Sequence, residues 1–289
     1  MGEANSYLLT GINLIQMPLF MAISGYVCKY ESFKLLPKLK LLIPFFVIGM
    51  FFFAFILHGQ TPIEFLAKPM KDGYWFFWVL FVFFVLLYLI RTARLNLYLG
   101  GIITWGVLVV IGHYMLPEWK DYLSWDKIEE LWLFFLWGLI LKHIDFEKRL
   151  VHKSIIYLIP LLILILVIVN DNITRIPGYG WFINFSLFVF LVVLFHDLEN
   201  RFKGKTSKLK SITKKMGTDI GTNTLQIYSL HYIFLGFTNP PTLGNFLLEH
   251  NLLWTEFILS PILSIILSYI CIYTAKLLYK LHLGFVFGR

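Results

Sequence analysis

Charge is what this sequence has least of. Only 15% of its 289 residues are Asp, Glu, Lys or Arg, while 58% are hydrophobic and 18% aromatic. An ordinary soluble domain carries about 25% charged residues. A soluble fold of this length has no interior large enough for so much apolar surface. A bilayer removes the difficulty, because lipid is then the solvent. Cysteine is nearly missing too. Cys28 and Cys271 lie at or in apolar runs and form no CxxC or metal-ligand spacing, so no disulfide framework and no metal site is expected. No Walker loop, HExxH, GxSxG or dinucleotide fingerprint occurs. No pair of carboxylates falls within an apolar run, which argues against proton pumping through buried acids. Residues 1–10 hold no Lys or Arg, and no cleavable leader is expected.

What is present in quantity is the long apolar run. A spanning helix needs roughly 20 largely apolar residues. Nine stretches are candidates, at about 9–28, 35–57, 75–90, 97–116, 130–142, 154–169, 181–196, 218–237 and 252–278, the fifth and seventh being short for a span. The expected fold is therefore all-α: a polytopic membrane bundle of about nine transmembrane helices, forming one domain over residues 1–289.

The basic residues test that count. The formal net charge is +8, which in a soluble protein would suggest nucleic acid. Here the positive charges sit in the short loops. One set of alternate loops and the C-terminal tail holds 20 of the 25 Lys and Arg, including Lys29, Lys34, Lys38, Lys40, Arg91, Arg94, Lys142 and seven residues between Arg201 and Lys215. The other set holds Lys68, Lys71, Lys120, Lys127 and Arg175. Positively charged loops stay in the cytoplasm. The expectation is a multi-pass protein of the plasma (inner) membrane with a cytoplasmic C-terminus, with the bilayer and not a nucleic acid as its surroundings. An odd number of spans then places Met1 outside, as if one helix preceded this chain.

Polar groups inside a membrane are costly, so each is a candidate for function. The first run carries Asn13, Gln16, Ser24, Gly25 and Tyr26, with Met17-Pro18 interrupting it. The eighth carries Asn223, Thr224, Gln226, Tyr228, Ser229 and His231. His231 is the one histidine well inside a run with polar neighbours. Two readings of it stand: a general base, or a structural hydrogen-bonder. Ser24–Tyr26 and the Tyr228–His231 turn are expected to line one interior cavity. Trp75 opens the third run within an aromatic cluster of the kind that anchors helices at an interface.

Four stretches in order resemble the acyltransferase-3 family of membrane acyltransferases, in particular its sugar O-acetylase branch. They are Gln16-Met17-Pro18-Leu19-Phe20 with Ile23-Ser24-Gly25-Tyr26; Lys38-Leu39-Lys40-Leu41-Leu42-Ile43-Pro44-Phe45; Tyr74-Trp75-Phe76-Phe77-Trp78-Val79-Leu80-Phe81; and Gly221-Thr222-Asn223-Thr224-Leu225-Gln226-Ile227-Tyr228-Ser229-Leu230-His231. The segment Phe134–Lys142 also fits a family pattern. The resemblance implies an enzyme that moves an acetyl or other acyl group from a cytoplasmic acyl-CoA, a co-substrate rather than a bound cofactor. The acceptor would be a hydroxyl of a cell-envelope polysaccharide or lipid-linked sugar.

The chain departs from the family in two places. The family's first helix, with an Arg and a His regarded as catalytic, has no match before Asn13. The family's His before Met-Pro is here Gln16, which has no ionisable proton. The expectation is thus little acetyl transfer unless an upstream helix is supplied, with His231 as the remaining catalytic candidate. Gln16, Ser24, Gly25, Tyr26, Trp75, Asn223 and Tyr228 are carried over as matched, cavity-lining positions. Two alternatives stand beside the enzyme: a transporter or flippase for a sugar-linked lipid, and a non-catalytic relative. A transporter of this kind is expected to show inverted repeats, and none is evident.

Overall fold

The computed structural model of the protein describes residues 7–30, 33–143, 179–202, 208–237 and 258–288, and every regular element among them is a helix. In chain order these are α1 (Tyr7–Tyr26), α2 (Pro44–Leu57), α3 (Pro62–Ala67), α4 (Trp75–Thr92), α5 (Leu97–Tyr114), α6 (Pro117–Leu123), α7 (Trp125–His143), α8 (Tyr179–Phe202), α9 (Lys208–Thr222), α10 (Thr224–Phe237) and α11 (Ser260–Lys280). Short turns of tighter helix cover Leu36–Leu41, Lys71–Gly73 and Gly284–Phe287.

Four helical stretches among the described residues are long and apolar enough to cross a membrane: Leu36–Leu57, Trp75–Thr92, Leu97–Tyr114 and Ser260–Lys280. Helices also form at the expected runs 9–28, 130–142 and 181–196, while the run at 154–169 lies outside the described residues. The exposed faces fit a lipid solvent. On α5 they carry Leu99, Ile102, Ile103, Val107, Val110 and Ile111; on α11, Ile262, Leu263, Ile266, Ile270 and Leu277. Water would penalise such contiguous apolar surfaces.

Two runs are broken for local reasons. Pro44, at the first position of α2, has no N–H to donate to the turn before it. The expected run at 35–57 therefore divides into a tight turn and a wide helix of i→i+5 type. The run at 218–237 divides at Asn223. Its side-chain amide donates to the Asp219 carbonyl at 2.8 Å, and the Thr222 and Thr224 hydroxyls donate to Thr218 O and Gly221 O. Side-chain bonds of this kind compete with the helix ladder. Helix starts are also explicit in the sequence. Thr61 and Glu64 form a capping box on α3, and the Asn96 side chain caps α5 by accepting from Tyr98 N at 2.9 Å.

The tightest seam joins α1 to α7. A Cβ at Gly25 would strike the Phe135 carbonyl, and one at Gly138 would strike the Ala22 carbonyl. These two glycines let the backbones touch, as small residues do in membrane bundles. Indole N–H groups tie further helices together: Trp132 to Gly101 O at 2.9 Å, Trp125 to Leu108 O at 3.2 Å and Trp78 to Leu123 O at 2.8 Å.

The ends of the bundle differ in charge. At one end Lys142 lies over the Tyr26 ring, Lys38 over the Phe84 ring, and Arg91 donates to Phe33 O. At the other end α3, the Lys71–Gly73 turn and α6 pack together, holding Lys68, Lys71 and Lys120. For the described helices, the split of basic residues along the sequence is thus a split between the two ends in space.

Candidate functional site

At the basic end lies an open cavity of about 330 Å³. Ser24 and Cys28 come to it from the end of α1 and the residues after it, Lys38 and Lys40 from the Leu36–Leu41 turn, Leu80 and Phe84 from α4, and Leu225 from α10. The tail closes one side. Gly288, at φ +70, passes so near the Lys40 carbonyl that a Cβ there would meet it at 2.5 Å. The lining is apolar at depth and cationic at the rim. The Lys38 ammonium rests 4.4 Å from the centre of the Phe84 ring, an arrangement that holds the cation while leaving its outer N–H groups available. An apolar slot with a cationic mouth suits a ligand with a greasy arm and an anionic head.

The predicted residues fall into separate places. Ser24 lines this cavity, but its hydroxyl donates to Phe20 O in its own helix at 2.8 Å. Gly25 is buried in the α1–α7 seam, and Tyr26 beside it carries Lys142 over its ring. Gln16 is exposed, and Trp75 is buried in the core. Asn223 is spent on the break between α9 and α10.

Tyr228 and Ser24 do not share the cavity. The Tyr228 hydroxyl donates to Gly73 O at 2.6 Å, at the far end, and its ring sits against Phe76 and Phe77. His231 lies one turn further along α10, with its ring 3.9 Å from that of Tyr232. Its Nδ1 is within reach of two carbonyls of its own helix, Tyr228 O at 2.9 Å and Ile227 O at 3.1 Å. Carbonyls only accept, so Nδ1 carries the hydrogen and, in the neutral ring, the lone pair is on Nε2. That is the tautomer in which Nε2 serves as a base. By helix rise, six residues place His231 about 9 Å beyond Leu225, the α10 residue on the cavity wall.

A model of an acyltransferase domain matches residues 2–273 of the chain. The chain belongs to the acyltransferase-3 family. Comparison with curated proteins and with solved structures gives no match. Family membership and apolar helices together make the protein a membrane acyltransferase by class. All four motif stretches that resemble the family lie inside the matched span.

Sequence reasoning missed the other end. Lys71 is fully buried, and its ammonium donates to Asp121 O at 2.8 Å and Lys68 O at 3.1 Å. Burial pushes its pKa down to about 8, against a smaller opposing pull from Asp121. Around it, Tyr74 donates to Ser229 O at 3.0 Å, Ser124 to Pro69 O at 3.0 Å, and Lys68 pairs with Asp72 at 2.8 Å. A Lys-Asp-Gly tripeptide reads as an exposed loop. Only its left-handed backbone at Lys71 and Asp72 turns the lysine inward. The signal within reach was the Gly, which favours such turns.

Proposed function

We propose that the protein is a membrane-bound O-acyltransferase that moves an acetyl or similar acyl group from acyl-CoA to a hydroxyl of a cell-envelope sugar. About nine spans, with the basic end and the C-terminus in the cytoplasm of a bacterial-type plasma membrane, complete the reading. The observation that carries it is the cavity at the basic end, with Lys38 and Lys40 at its mouth and apolar Leu80, Phe84 and Leu225 within, in a chain whose family is acyl-transferring.

Acyl-CoA has the matching chemistry. Its phosphates are anionic and pair with ammonium groups; its pantetheine arm is long, thin and largely apolar. With the phosphates at Lys38 and Lys40, the reading requires the arm to reach His231, about 9 Å further along α10 than Leu225 and outside the cavity lining. The sugar hydroxyl then attacks the thioester carbonyl, its proton passes to His231 Nε2, the C–S bond breaks and CoA leaves as the thiolate. A base is needed because an unassisted hydroxyl is a poor nucleophile. Ser24, Gly25, Tyr26 and Tyr228 shape and hold the helices around this path.

The test is transfer of label from acetyl-CoA to envelope glycan in membranes carrying the chain. The expectation from the sequence is little transfer; what transfer there is should fall with Lys38→Glu and drop about 10²-fold or more with His231→Ala. Transfer that survives His231→Ala removes His231 as the base. Labelled sugar crossing sealed vesicles without acetylation replaces the enzyme with a transporter.

A further inference from the structure

A second cavity, of about 410 Å³, lies toward the other end of the bundle, between α5, α6, α7 and α8. Its lining is Trp105, Lys120, Asp126, Glu129, Glu130 and Trp181. It shares no residue with the basic-end cavity.

Its walls are built and braced. The Trp105 and Trp181 rings stand 5.9 Å apart at 67°. Trp181 is wedged against Phe134, also at 5.9 Å. On α7, Glu129 and Trp125 lie so close to α5 that a Cβ at Gly112 would meet Glu129 Oε2 and Trp125 Nε1 at 2.6 Å. Glycine at 112 leaves room for this carboxylate and the Trp125 indole beside α5.

The indoles are unequal. Those of Trp78, Trp125 and Trp132 each donate to a backbone carbonyl and so tie helices together. The N–H groups of Trp105 and Trp137, both sheltered from solvent, have no acceptor among the described residues, and Trp105 is the one on the cleft. A sheltered donor left unmade costs roughly 1–3 kcal/mol. A ligand oxygen that reached it from the cleft would remove that cost.

We infer that this cleft binds an uncharged pyranose unit of a glycan. The chemistry fits that class. The C–H face of a pyranose stacks on an indole. Its hydroxyls donate to carboxylates, and its oxygens accept from an indole N–H. Charge selects within the class. Three carboxylates face one ammonium, Lys120, in the lining, while Lys127 pairs with Glu130 at 2.8 Å. The surplus negative charge opposes an acidic sugar. The inference rests on the acyltransferase reading only in making this sugar the acceptor.

The test is saturation-transfer NMR on the full chain in detergent without acyl-CoA, using neutral glucose and N-acetylglucosamine oligosaccharides and a glucuronate oligosaccharide of matched length. Saturable transfer to ring protons of at least one neutral sugar is expected, with the glucuronate at least about tenfold weaker. Trp181→Ala and Trp105→Ala should each weaken neutral-sugar binding by about tenfold or more, and Trp105→Phe, which keeps a ring and loses the N–H, by less. Acetyl-CoA binding by the same variants is the folding control. No saturable neutral-sugar signal, equal binding of the glucuronate, or binding indifferent to both alanine variants overturns the inference. Sugar binding without any acetyl transfer leaves the cleft standing and removes the enzyme; transfer without binding here keeps the enzyme and moves its acceptor elsewhere.

Discussion

The two ends of the bundle use lysine in opposite ways. At the basic end Lys38 and Lys40 stand at the mouth of an open cavity, held by an aromatic ring and the chain tail. At the other end Lys71 is sealed in, spending its N–H groups on two carbonyls. Burial opposes charge at Lys71, whereas Lys40 is exposed. Backbone oxygens take two of the three Lys71 N–H groups inside the protein, whereas the rim lysines face an open cavity. The rim lysines are free to meet an anion, while Lys71 ties helices together at the end that also carries the cleft lined by Trp105 and Trp181.

Breaking the comparison should produce graded effects. The largest is on catalysis: His231→Ala should lower acetyl transfer about 10²-fold or more, the usual worth of a general base, with unchanged thermal unfolding in detergent. Unaltered transfer would show that α10 only supports the site. Next is stability at the sealed end. Lys71→Met strands the Asp121 and Lys68 carbonyls and should cost about 1–3 kcal/mol, read as a lowered midpoint of thermal unfolding; Lys40→Met at the open end should barely move it.

Tyr228→Phe removes one hydrogen bond, to Gly73 O, and should cost about 1 kcal/mol. A further effect is on pH. The folded pKa of Lys71, about 8, lies below its unfolded value near 10.4. Between these values the unfolded chain binds more protons than the folded one, so stability rises as pH increases from about 8 to 10. Lys71→Met should flatten that rise, and a rise of the same size in the variant would assign it to other groups.

The sequence made much of this legible. Scarce charge and apolar runs mark out the helices, because hydrocarbon admits little else. Alternation of basic loops marks the ends, and Gly25 and Ser24 flag the close seam and the cavity edge. Other parts were hidden. Helix α7 starts at Trp125 rather than near 130, because Asp126, Lys127, Glu129 and Glu130 read as loop although they lie in its first turns. The inward turn of Lys71 depends on two residues at positive φ, and local composition does not encode that. Tyr228 and Ser24 look paired by their motifs, yet the length of α10 carries the tyrosine hydroxyl to the far end.

In the proposed mechanism the basic end receives the acyl donor, and binding tests this without turnover. Titration calorimetry of the purified chain with acetyl-CoA should give saturable binding that weakens with added salt. The double variant Lys38→Glu, Lys40→Glu should weaken it by about tenfold or more, while Lys120→Glu at the other end leaves it unchanged. Saturable binding indifferent to the double variant, or no binding by a folded chain, would contradict the account.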